Sequence, residues 1–298
     1  MSDRLQSLQV FRRTARCGSF SRAARELALS QASVSRIIAE LERALGAQLL
    51  TRTTRAVALT DTGSDYLARI EQVLDALDEA DHVARGGGPL RGLLRIGLSA
   101  SFGVREIIPR LPDFLAQHRE LRVDLAVSDS RQDLVQDAID IAFRLGPLAD
   151  STLIARQIAR SPRVLAASPE YLAERPSPDR PEDLSAHSLI VGPGAAPPIL
   201  EFRKGDRVVR VPASGRMTCA ANEAATALAL AGLGVTVSSF WGIAREFRAG
   251  TLVRLLPDWA LAPVDLHCVF PPGRAPSPAA RACADFFTAA LRGPQSGG

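Results

Sequence analysis

Leu5, Leu8, Phe11 and Ala15 recur at helical spacing, with Arg12, Arg13 and Arg16 turned away from them, and Gly18 follows as a stop. Ser19 and Ser21 both suit the N-cap of a second, shorter helix, RAARELAL, in which Ala23, Ala24 and Leu27 permit close packing. Ser30 suits the cap of a third. Its apolar positions Val34, Ile38, Leu41 and Leu45 form one stripe, Gln31, Ala32, Ser33, Ser35 and Arg36 lie opposite, and Gly46 ends it. Two short strand-like pieces come next, around Gln48–Thr51 and Val57–Leu59, with Arg52, Thr53, Thr54 and Arg55 between them. This is the order of a winged helix-turn-helix with a basic hairpin, whose reading helix enters the DNA major groove. Thr60 then caps a long helix over 61–85, where Tyr66, Ile70, Val73, Leu77, Ala80 and Ala84 make a narrow seam. A seam of that width on an acidic helix suits pairing between subunits, the alternative being a helix that lies on its own domain.

Gly86-Gly87-Gly88-Pro89 breaks the pattern, because three glycines and a proline do not continue a helix. Beyond it strands and helices alternate. LLRIGLSA, VDLAVSD and DIAFRLG read as strands, with VREIIPRLPDFLAQH and DLVQDAI as helices between them, the rhythm of a largely parallel sheet. A second block opens at Arg163. It holds the strands RVLAAS, SLIVG, VTVSS, TLVRLLP and VDLHCVF, the extended VVRVPASG, and the helices ANEAATALALAGLG and, last, ARACADFFTAAL.

Charge sharpens this division. Residues 1–60 hold ten arginines against four acids, whereas residues 61–86 hold two arginines against seven acids. The positive surplus therefore sits on the helix-turn-helix, where phosphates would lie. The start of the chain is charged throughout and lacks an apolar core, so no signal peptide is expected; no run approaches the roughly 20 apolar residues of a membrane span, so the expectation is a cytoplasmic protein with no membrane partner. Cys17, Cys219, Cys268 and Cys283 form no CxxC pair and read as free buried thiols. His118, His187 and His267 are isolated, and HExxH, GxSxG and GxxxxGK[ST] are absent, so neither an enzyme nor a metal site is expected, and no cofactor.

These residues resemble the LysR-type transcriptional regulators over essentially the whole chain. The resemblance runs through GSFSRAARELALSQASVSRIIAELERALGAQLLTRTTRAVALTDTG, then LRIGLSASFG, IIPRLPDFLAQH, DIAFRLG, ASPEYLA, PEDLSAH, ALAGLGV and GTLVRLLP, in order. Leu50 stands where that family usually has Phe, and Ala56 where Gly is frequent; both bear on packing. The resemblance implies an α-helical winged helix-turn-helix domain (1–60), a linker helix for dimerisation (61–86), and an α/β, two-lobed regulatory domain (87–293) like a type 2 periplasmic binding protein. Its lobes would span about 91–162 plus 269–293, and 163–268. It further implies a homotetramer built as a dimer of dimers, operator DNA and a small-molecule co-inducer as partners, and RNA polymerase as a further one.

By the same resemblance the DNA-contacting positions are Gln31, Ala32, Ser33, Ser35 and Arg36 in the reading helix and Arg52, Thr54 and Arg55 in the wing. The chemistry agrees: hydroxyls and helix N-termini suit phosphate oxygens, Arg36 suits guanine and Gln31 adenine. The effector positions are Ser99, Ser101, Phe102, Ser128, Arg144 and Asn222, on loops after strands and at a helix start facing the cleft, where open α/β sheets bind ligands. Hydroxyls and free N–H groups at Ser99–Ser101 would favour an organic anion. A cysteine-based redox sensor and a small-molecule-binding enzyme are the alternatives, and Cys219, Cys268 and Cys283 lack the basic flanks that lower a thiol pKa. Arg55→Ala is expected to weaken DNA binding evenly across sequences and to flatten its salt dependence, read by filter binding over a salt series. An unaltered slope would count against a phosphate contact there.

Overall fold

The computed structural model describes residues 4–52, 57–84, 89–130, 132–135, 137–148, 153–193, 199–273 and 275–291. Thr54 and Arg55 lie outside these residues. Helices α1 (Arg4–Cys17), α2 (Phe20–Glu26) and α3 (Gln31–Leu45) close around Phe11, Ala23, Val34, Ile38 and Leu41. Ser19 is the cap of α2, accepting from the Arg22 N–H, and Ser30 caps α3 by accepting from the Ser33 N–H at 3.0 Å. Gly46 ends α3 in the left-handed conformation, φ 65°. Strands β1 (Leu50–Arg52) and β2 (Val57–Leu59) pair antiparallel as the base of the wing.

The long helix α4 (Asp61–Ala84) starts at Thr60, whose hydroxyl accepts from the Gly63 N–H at 2.9 Å. Its two halves do different things. Leu67 and Ile70 are buried in the core of α1–α3, so the first half lies on its own domain, while Val73 and Leu77 are exposed. The seam read from the sequence is thus free for a partner only in its later part.

The first lobe holds β3 (Arg91–Leu98), α5 (Ala100–Phe102), α6 (Leu111–Gln117), β4 (Glu120–Val127), β5 (Ile141–Leu145) and β6 (Ile154–Ser161). Pro109 and Pro112 lack the N–H a regular helix needs, and 103–110 passes through a π turn and a 3-10 turn before α6. The helix expected over 133–139 is absent; its described residues form turns. The Asp133 carboxylate takes the Val135 N–H at 2.9 Å, the Asp137 carboxylate takes the Asp133 N–H at 3.1 Å, and Ala138 has φ 55°. Side-chain acceptors here replace the helical ladder.

The chain crosses at Pro162 into the second lobe, with β7 (Arg163–Ala167), α7 (Pro169–Ala173), β8 (Ile190–Val191), β9 (Ile199–Lys204), β10 (Arg207–Pro212), β11 (Met217–Thr218), α8 (Asn222–Leu230), β12 (Thr236–Ser239), α9 (Phe240–Ala249), β13 (Val253–Leu255) and β14 (Ala260–Leu261). It then returns as β15 (Val264–Phe270) and α10 (Pro278–Leu291). The main sheet of the first lobe has the order β4-β3-β5-β15-β6. β15 runs antiparallel to both β5 and β6, so VDLHCVF belongs to this lobe and the chain returns before Val264, not after residue 268. Leu266 and Cys268 are fully buried there, in one core with Phe114, Phe143 and Phe287. The sheet is mixed, parallel only through β4-β3-β5.

One glycine fixes the approach of α4 to the wing. A Cβ added at Gly63 would lie 2.0 Å from the Leu49 carbonyl oxygen. Gly63→Ala is expected to destabilise the DNA-binding domain by about 1–3 kcal/mol in urea melts, and a change within about 0.5 kcal/mol of zero would show that this approach is not tight.

Candidate functional site

Two surfaces carry the chemistry. On α3, Gln31, Ala32 and Arg36 are exposed and Ser33 and Ser35 half-buried, while Val34, Ile37, Ile38 and Leu41 face the core. The reading face is therefore rigidly backed. Ser21 Oγ donates to Gln31 Oε1 at 3.0 Å, which holds the amide and turns its NH₂ outward. The sequence offers Ser21 only as a cap; its place in this pair depends on the turn between α2 and α3. Ser33 Oγ lies 2.8 Å from Ser30 Oγ, inside the cap. Arg52 ends β1, at the base of the wing.

The second surface is a cleft of about 310 Å³ between the lobes. Ser99, Ser128 and Arg144 line it from the first lobe and Asn222 from the second. These four come from the ends of β3, β4 and β5 and the start of α8, as the crevice rule for α/β sheets requires. Ser101 and Phe102 are not in its wall. Both are buried, and Phe102 packs on Trp241 at 5.6 Å and Phe143 at 6.4 Å, in the first-lobe core. The corner at Ser99 is also not free, because the Ala100 N–H donates to Asp129 Oδ1 at 3.0 Å. Asp129 and Gln132 join the wall. Gln132 escapes a sequence reading that makes the following segment a helix.

Arg144 Nη2 donates to the Gln132 carbonyl at 2.7 Å, and both residues line the cleft. Across from it, the first turn of α8 has no side-chain cap at Ala221. Beside the cleft, Arg105 ties the lobes together, donating to Glu223 and to Glu246, both at 2.9 Å.

The thiols stand apart from both surfaces except Cys219, which is half-buried near the second-lobe wall. Burial pushes the Cys268 thiol up to about 12 and Cys283 well above its ordinary value. Burial also raises Cys219, and burial with the Glu26 carboxylate raises Cys17. All four move away from the thiolate that peroxide chemistry needs. Among the described residues no group of three or more His, Cys, Asp or Glu is placed to hold a metal, and no helix is long and apolar enough to cross a membrane.

A winged helix-turn-helix domain joined to a two-lobed domain with a polar cleft is the architecture of a transcription regulator that carries an effector-binding domain. Residues 5–64 match the bacterial regulatory helix-turn-helix protein of the lysR family, and residues 87–292 match the LysR substrate binding domain. The chain belongs to the LysR family of transcriptional regulators. An HTH-type transcriptional repressor of Pseudomonas aeruginosa is 35% identical over 277 residues, covering 91% of this chain and 87% of that protein. The HTH-type transcriptional activator TtdR of Escherichia coli K12 is 31% identical over 287 residues, covering 95% and 92%. Of solved structures, CrgA from Neisseria meningitidis, a LysR-type transcriptional regulator, superposes with a TM-score of 0.60 at 30% identity, over 96% of this chain and 98% of that one. The Vibrio cholerae virulence activator AphB does so with 0.57 at 26%, over 96% and 99%.

Proposed function

We propose that this regulator binds operator DNA as an oligomer through α3 and the wing, and that its effector is a small organic anion held in the inter-lobe cleft. Arg144 carries the effector reading. Arg144 and Asn222, the latter at the start of α8, whose N-terminus lacks a side-chain cap, line the same cleft, so a guanidinium and a helix N-terminus both border one ligand-sized space. Ser99, Ser128 and Asn222 add neutral hydrogen-bonding groups. Asp129 refines the ligand: a carboxylate in the wall favours an anion that also carries a hydroxyl or ammonium donor. Burial raises the Cys219 thiol, which disfavours its thiolate form.

Two separate apolar surfaces support the oligomer. Val73 and Leu77 share the exposed face of α4, and Val104 and Ile108 lie exposed on the segment before α6. One surface per subunit builds a dimer; two distinct ones allow a dimer of dimers. For DNA, the exposed Arg36 on a helix whose other face is locked in the core is the residue best placed for bidentate contact with guanine.

Footprinting on the DNA upstream of its own gene is expected to show protected half-sites. On the protected fragment, Arg36→Ala should weaken binding by about 1–3 kcal/mol and relax sequence preference in gel shifts. Unchanged operator binding would remove Arg36 from the readout. A thermal-shift screen of carboxylates, hydroxy acids and amino acids is expected to find a stabilising anion whose effect falls in Ser99→Ala. If only neutral compounds stabilise, or the substitution changes nothing, the anion reading fails.

A further inference from the structure

The DNA-binding domain and the first lobe of the same chain meet through charged groups that neither surface above uses. Arg95, on the interior strand β3, is 1% exposed. Its Nε donates to Asp124 Oδ2 at 2.6 Å, on the neighbouring strand β4, and its Nη2 donates to Glu26 Oε1 at 2.6 Å, at the end of α2. Glu26 is also the partner of Arg13, Arg22 and the Cys17 thiol within the DNA-binding domain, and Arg122 donates to its carbonyl at 3.3 Å. A second pair lies alongside. Arg16 at the end of α1 meets Glu71 of α4 at 2.7 Å and Asp140 at 3.2 Å, and Asp140 in turn accepts from the Arg95 backbone N–H at 3.0 Å. Arg16, Glu26 and Asp140 have side chains only 10–14% exposed, so this is a desolvated cluster and not a scatter of surface pairs.

Its placement matters as much as its chemistry. The cluster uses the ends of α1 and α2, and Gln31, Ala32 and Arg36 of α3 remain exposed. Docking therefore does not cover the reading face. On the lobe side, Arg95 lies four residues before Ser99 along β3, and Asp140 four residues before Arg144 along β5, about 13 Å of strand in each case. β3, which ends at the cleft, carries Arg95 in its middle, and β5, which also ends there, begins one residue after Asp140.

We propose that Glu26 and Arg16 of the DNA-binding domain, with Arg95 and Asp140 of the first lobe, form an intra-chain latch. The latch carries the reading helix and that lobe as one body while leaving the DNA face open. A lobe movement at the cleft then re-aims the reading helix directly, in addition to any path through α4. That consequence rests on the effector reading of the cleft; the latch itself does not.

The test uses full-length protein with neither DNA nor ligand, so its outcome is separate from whether an operator or an anion is found. Nitroxides on encoded keto amino acids replacing the exposed Ala44 of α3 and Ala116 of α6 report the intra-chain distance by pulsed electron resonance, with labelled chains diluted by unlabelled ones. Glu26→Gln and Asp140→Asn each remove one charge and keep hydrogen-bonding atoms in place; Arg16→Gln is a third variant should either lose helix content. The wild type is expected to give a single narrow distance that both variants replace with a broad distribution. A broad distribution in the wild type, or a narrow peak retained in either folded variant, overturns the latch.

Discussion

Removing the counter-ion of a buried guanidinium costs about 3–5 kcal/mol, and the fold is arranged so that Arg95 never faces that loss. β3 is the second strand of the main sheet, between β4 and β5, and places Arg95 in register with Asp124 of β4. Asp124 is only partly shielded, and the remaining charge is met from outside the lobe, by Glu26. Burial raises the Glu26 carboxyl, and the guanidiniums of Arg13 and Arg95 outweigh this and hold it below its ordinary value. The carboxylate is thus kept ionised where it is needed, and Arg95 is met across the junction beside the Arg16–Asp140 pair and the Arg122 contact to the Glu26 carbonyl.

The lobes obey a similar constraint on a different scale. Arg105 from the first lobe is held by Glu223 of α8 and Glu246 of α9, and Trp241 of α9 reaches into the first-lobe core against Phe102. The second lobe is therefore fastened along α8 and α9 and open at the strand ends. Ser101 and Phe102 fall on the fastened side. Their burial is part of what lets Ser99, one turn earlier, stand at the mouth of the cleft.

The sequence made the DNA-binding domain legible because its signals are local. Caps at Ser19, Ser30 and Thr60, the stop at Gly46 and the stripe Val34–Ile38–Leu41 act within a few residues, and each recurs in the structure. Signals that depend on distant partners were not legible. β15 reads as the last strand of the second block, and only its pairing with β5 and β6 returns it to the first lobe. The segment 133–139 has helical periodicity, but Asp133 and Asp137 spend their side chains on the backbone. In the cleft, Ser99, Ser128, Arg144 and Asn222 come together as their positions at strand and helix ends imply, whereas Asp129 at Ala100 changes the charge of that corner in a way no spacing reveals. The ionic cluster around Glu26 and Arg95 joins residues 69 positions apart and leaves no trace in periodicity at all.

Similarity does not fix the sign of regulation, since a repressor at 35% identity and an activator at 31% resemble this chain over comparable lengths. The physical reason lies in the architecture. A helix-turn-helix reads a half-site whichever way transcription responds, so the outcome depends on where the copies of α3 are held relative to one another. Two connections hold the domains within each chain: α4, on which Val73 and Leu77 are exposed, and the cluster at Arg95, which joins the DNA-binding domain to β3 and to Asp140 before β5. The first is covalent and leaves the DNA-binding domain an angle to choose. The second holds the DNA-binding domain against the lobe through desolvated charges, whose partners cannot be lost without leaving a buried charge uncompensated.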